Sequence, residues 1–96
     1  MERYFEWDPT KAASNLRKHG IRFEDAALVF DDPLALSEQE RIDNGEQRWR
    51  TIGTACGCVL LLVAHTVRLE DLGVEVIRII SARRADRTER RLYEHG

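Results

Sequence analysis

Val74 to Arg84, VEVIRIISARR, restricts the fold more than any other stretch of the chain. Val74, Val76, Ile77, Ile79 and Ile80 make a β-branched run too apolar for a wet edge strand, and such a run suits a central strand covered on both sides. The run stops at Ser81-Ala82, and Arg83 and Arg84 emerge where apolar residues had been. A central strand that ends in cations makes a rigid platform for an anion. With 96 residues the chain reads as one domain, 1–96, with no room for a second core. A chain of that size buries roughly two-thirds of the surface its unfolded form exposes.

The remaining elements follow from local signals. Arg3 to Trp7 is a short aromatic strand. Asp8 is a helix N-cap and Pro9 suits the first helical position, so a helix runs to about His19 and stops at Gly20. Phe23, Ala26, Ala27 and Phe30 stand at i, i+3, i+4 and i+7, the core face of a second short helix. Asp31-Asp32-Pro33 breaks it. Leu34 to Ser37 reads as a small strand, and Glu38 to Gly45 as an exposed, mobile acidic loop. Three strands follow: Arg48 to Ala55, Cys58 to Val67 and Val74 to Arg83, with turns at Gly57 and at Arg68–Gly73. A helix over Ala85 to about Glu94 closes the chain. The order predicts α+β, with the helices gathered on one side of a twisted antiparallel sheet.

Composition excludes several classes. The longest apolar run, Cys58 to Ala64, is too short to cross a bilayer, and the N-terminus has no signal-peptide pattern, so a cytoplasmic protein is expected. Cys56 and Cys58 read as free thiols, because a disulfide across one residue would be strained. Too few further ligands surround them for zinc, so neither metal nor cofactor is expected. Net charge is −2, which argues against indiscriminate nucleic-acid binding. The charges are unevenly spread, however. Arg22 to Arg50 holds eight acids and four arginines, whereas Arg83 to the end holds five arginines and three acids. The C-terminal segment can therefore meet phosphate while the middle repels it.

Several blocks, in order, resemble one family: FEWD at Phe5–Asp8, NLRKHGI at Asn15–Ile21, FEDAALVFDDP at Phe23–Pro33, EQRW at Glu46–Trp49, IISARRA at Ile79–Ala85 and ERRLYE at Glu89–Glu94. The set resembles the BrnT toxins of BrnT–BrnA toxin–antitoxin modules. The resemblance implies a RelE-like fold, akin to microbial ribonucleases, and RNA cleavage that halts translation. It also implies a BrnA-like ribbon-helix-helix antitoxin, a heterotetramer with it, and operator DNA contacted through that partner.

Metal-free RNA cleavage commonly uses the ribose 2′-hydroxyl as nucleophile. The protein must take up its proton and stabilise charge on the phosphorane. Arginine suits the second task, because it stays charged and grips phosphate bidentately. Arg83 is the first candidate clamp, against the plainer reading of an ion-paired surface residue. Arg84 is second, for RNA or the antitoxin. Glu46 and Arg48 face the same way on an extended chain, either as a base beside its cation or as an ordinary ion pair. His65, alternating with Val59, Leu61 and Val63, is a core histidine or a proton shuttle. Lys18 and His19 cap a helix or reach phosphate. Tyr93 packs on the sheet or stacks a base, and Arg84, Arg87 and Arg91 form a candidate RNA stripe. Two other classes compete with a ribonuclease: a non-catalytic co-repressor that works with the antitoxin, and a DNA-binding regulator, which the charge and the lack of a helix-turn-helix disfavour.

Overall fold

The structure is a computed structural model and describes residues 2–96. Five strands form one sheet: β1 (Arg3–Glu6), β2 (Leu36–Asp43), β3 (Glu46–Ala55), β4 (Val59–Leu69) and β5 (Glu75–Arg84), in the order β1-β5-β4-β3-β2. β1 runs parallel to β5, and the other neighbours are antiparallel. Helix α1 (Pro9–His19) and the short α2 (Phe23–Ala26), which tightens into a 3₁₀ turn over Ala27–Asp31, connect β1 to β2. Helix α3 (Arg87–His95) ends the fold.

Local chemistry sets the ends of α1. Asp8 accepts the Thr10 N–H at 2.8 Å, Pro9 opens the helix, and Gly20 at φ 71° closes it. From the middle of α1, the buried Asn15 reaches the edge of β5. Its amide donates to the Ala82 carbonyl at 2.9 Å, and its oxygen accepts the Ala82 N–H at 3.0 Å. β1 stops at Glu6, opposite Arg78, so this side chain supplies the hydrogen bonds that a longer β1 would have made.

Side-chain alternation divides the core into two faces. On one, Phe23, Ala26 and Val29 pack against Leu61, Val63, Ile77, Ile79 and Ala82. Gly53 lets the 3₁₀ turn close in there, since a Cβ would stand 2.8 Å from Val29 Cγ1. On the other face Ile52, Leu60 and Leu62 pack with Ala85 and with Tyr93 of α3. The helices therefore lie on both sides of the sheet, not on one as the element order predicts. The C-terminal helix is held on the face of Arg83, which is in register with Leu62, by the bond from Arg83 to Glu89 and by the packing of Tyr93.

α3 is anchored at both ends. Asp86 and Glu89 form a reciprocal capping box. The Tyr93 hydroxyl donates to Asp32 Oδ2 at 2.7 Å. Asp32 also accepts the Thr54 N–H at 2.8 Å, the Thr54 hydroxyl at 2.9 Å and the Leu34 N–H at 2.9 Å. Desolvation works against its charge, but the hydrogen bonds from Thr54, Tyr93 and Leu34 outweigh it and hold the carboxyl at about 2.

The acidic stretch expected to be a loop is β2. Its carboxylates face the arginines of β3, with Glu38 in register with Arg50, so cross-strand attraction replaces the repulsion its composition suggests. Only Asn44 (φ 52°) and Gly45 (φ 79°) form the turn, the left-handed pair that a two-residue hairpin requires.

Candidate active site

The face that carries α3 is covered only at the Ile52–Leu62 end. Two and four residues back along β3 from Ile52, Arg50 and Arg48 share its face and lie beyond α3. Arg48 is in register with Thr66 of β4, and Thr66 with Arg78 of β5. Two guanidinium groups thus flank a buried threonine across three strands. Glu46, two residues before Arg48, adds a carboxylate, and α1 contributes Lys11. These side chains, with Asp43 and Ile80, line a cleft of about 220 Å³.

The cations here are lightly engaged. Arg48 Nη1 stands 3.3 Å from Asp43 Oδ2, while its buried Nε has no hydrogen-bond partner. Among the described residues, neither Arg78 nor Lys11 makes an ion pair within 4 Å. A larger groove of about 420 Å³, lined by Arg41 and Arg50, meets the cleft at Arg48. On the other side, Lys11 and Ile80 join it to a depression that includes Lys18 and His19. The three form one cationic path across the open face.

The sequence candidates divide between this path and other places. Glu46 and Arg48 come together in the cleft, and Lys18 and His19 lie along its extension. His65 does not join them. In register with Trp49 and Ile79, it points to the helix-covered face, 3% exposed, with its ring edge-on to Phe30 and Nε2 2.7 Å from Thr51 Oγ1. Burial lowers its pKa to about 4, so it is a neutral core histidine at neutral pH.

Arg83 shares the face of the cleft, but Glu89 takes up its guanidinium in two bonds of 2.8 Å each. The pair reinforces both charges: the arginine's pKa rises and the carboxyl's falls. Arg84 is exposed and in register with Leu61, hence on the opposite face. Arg87 and Arg91 are exposed on α3, and Tyr93 packs on the sheet with its hydroxyl on Asp32.

Sequence reasoning missed Lys11, Arg50, Thr66 and Arg78. A signal for Arg78 was present: an arginine inside VEVIRII requires that the strand have an open face at that point. Arg50 follows from Arg48 by the same alternation that links Arg48 to Glu46. Nothing in the sequence connects Lys11 to a site formed by strands that begin 35 residues later.

Comparison with known proteins adds three findings. The profile of the family described as "Ribonuclease toxin, BrnT, of type II toxin-antitoxin system" matches residues 7–89. No curated protein sequence matches. The crystal structure of the Brucella abortus ribonuclease toxin BrnT superposes with a TM-score of 0.58 at 22% identity, over 91% of this chain and 100% of that one. That likeness establishes a shared fold.

Proposed function

The chain belongs to the BrnT family of ribonuclease toxins of type II toxin–antitoxin systems, and from that premise we propose that it cleaves RNA in the cleft between β3, β5 and α1. As a member of the family it is a ribonuclease toxin with an antitoxin partner. The row Arg48–Thr66–Arg78 on the uncovered face carries the assignment of the site.

The reaction is a transphosphorylation within the RNA. The 2′-oxygen attacks the adjacent phosphorus, the bond from phosphorus to the 5′-oxygen breaks, and a 2′,3′-cyclic phosphate and a 5′-hydroxyl result. Glu46, from the β3 side, accepts the 2′-hydroxyl proton. Arg48 and Arg78 hold the non-bridging oxygens as charge builds on them. Lys11, from the α1 side, protonates the leaving oxygen. Every transfer uses a side chain and no step requires a metal. Lys18 and His19 bind the flanking strand, while Arg83 acts through Glu89 to fix the start of α3.

Cleavage of message in the cytoplasm would halt translation. No helix of the described residues is long and apolar enough to cross a membrane. The partner is a BrnA-like ribbon-helix-helix antitoxin in a heterotetramer, and it makes the operator contacts. A net charge of −2 and the acidic β2 support that division of labour.

Purified wild type, Arg48→Ala and Glu46→Gln, incubated with a defined RNA, test the assignment. Each substitution should lower kcat/KM by about 10²-fold or more without unfolding the protein, and wild-type product should end in a cyclic phosphate. Two folded variants that cleave at the wild-type rate would remove the site.

A further inference from the structure

We propose that Arg50, with Arg41, forms a second phosphate site one linkage away from the scissile one, so that β3 measures the RNA strand in register. The inference rests on the cleavage site just assigned. Arg48 and Arg50 project from the same face of one strand, two residues apart, a separation of about 6.6 Å along β3. That distance is of the same order as the step between neighbouring phosphates on an extended single strand. A phosphate on Arg48 therefore brings the next one to Arg50.

The groove is built for such a load. It adjoins the scissile cleft through Arg48 itself and measures about 420 Å³. Arg50 Nε is buried without a hydrogen-bond partner. Glu38 and Glu40 stand 3.7 and 3.6 Å from its guanidinium, beyond hydrogen-bond length. They pair with the group electrostatically without hydrogen-bonding it, and because the Arg50 side chain is 38% exposed, a phosphate can exchange for them at its Nη groups in the bidentate manner guanidinium favours. Arg41 lines the same groove from β2 and adds a second cation. The substrate class is single-stranded RNA with at least two consecutive phosphates.

The test is a scan of an uncleavable 2′-O-methyl oligonucleotide in which one linkage at a time is made a neutral methylphosphonate. Binding is read by fluorescence anisotropy on wild type, Arg50→Gln and Arg50→Lys. Wild type should lose affinity at two adjacent linkages. Arg50→Gln should become insensitive at one and keep its sensitivity at the other, with the salt slope of log affinity falling by about 0.7. Arg50→Lys should retain both, which separates lost charge from lost fold. A single sensitive linkage in wild type, or two that survive Arg50→Gln, would overturn the second site while leaving the cleavage site intact. If wild type neither binds the oligonucleotide nor cleaves its all-ribose counterpart, the cleavage site falls first.

Discussion

Replacing Asp32 by asparagine should remove a pH-dependent part of the fold's stability. In the native state its carboxyl is held at about 2, against 3.8 in the free residue. The sign follows from that depression. The stabilisation is fully present above about pH 4 and is lost as pH falls through about 2. At 1.36 kcal/mol per pH unit the difference sets a ceiling of about 2.4 kcal/mol. Asp32 is partly exposed, so solvent screening brings the expected effect to about 1–2 kcal/mol. In a domain of this length that corresponds to a fall in Tm of about 4–16 °C. Urea unfolding of wild type and Asp32→Asn at pH 7 and at pH 2.5 measures it. The gap between the two should be clear at pH 7 and shrink toward zero in acid. A variant as stable as wild type at pH 7, or a gap at pH 2.5 that has not fallen to about a third of its pH 7 value, would refute the claim that ionised Asp32 ties α3 to the end of β3.

Two further outcomes separate structural from chemical residues. His65→Asn should leave cleavage per folded molecule within about threefold of wild type. It should also abolish a loss of stability of roughly 3 kcal/mol that wild type suffers between pH 6.5 and 4, where a buried imidazole resists the proton that the unfolded chain accepts; acid titration of the melting temperature shows this. Glu89→Gln should cost about 1.5–3 kcal/mol in denaturant unfolding by breaking the bidentate bond to Arg83, with kcat/KM changed only a few-fold. A variant of wild-type stability that had lost its activity would restore Arg83 to the reacting groups.

What the sequence disclosed, and what it withheld, divides along chain distance. α1 was legible to the residue, because Asp8, Pro9 and Gly20 act within one turn of the helix ends they set. The strands were legible within a few residues, and so was the placing of Glu46 beside Arg48, since alternation is a local rule. β2 was misread because its acids were weighed alone, although Asn44-Gly45 is a hairpin signal and its mates on β3 are arginines. The side taken by α3 depends on whether the chain leaves β5 from the face of Arg83 or of Arg84, which no local pattern fixes. For the same reason the strand-end pair does not act as a unit: one guanidinium goes to each face, and the one nearer the cleft is met six residues later by Glu89. Arg78 and Lys11, which make no ion pair within 4 Å among the described residues, come from opposite ends of the chain and meet only once the sheet exists.

The most direct measurement is the single-turnover cleavage rate of one defined RNA by Arg78→Gln and by Arg84→Gln, both arginines of β5, one on the open face and one on the other. Cleavage slowed about 10²-fold by the first substitution and at most a few-fold by the second is the predicted result. Equal rates, or a larger loss at Arg84, would contradict a reaction centred on the row from Arg48 to Arg78.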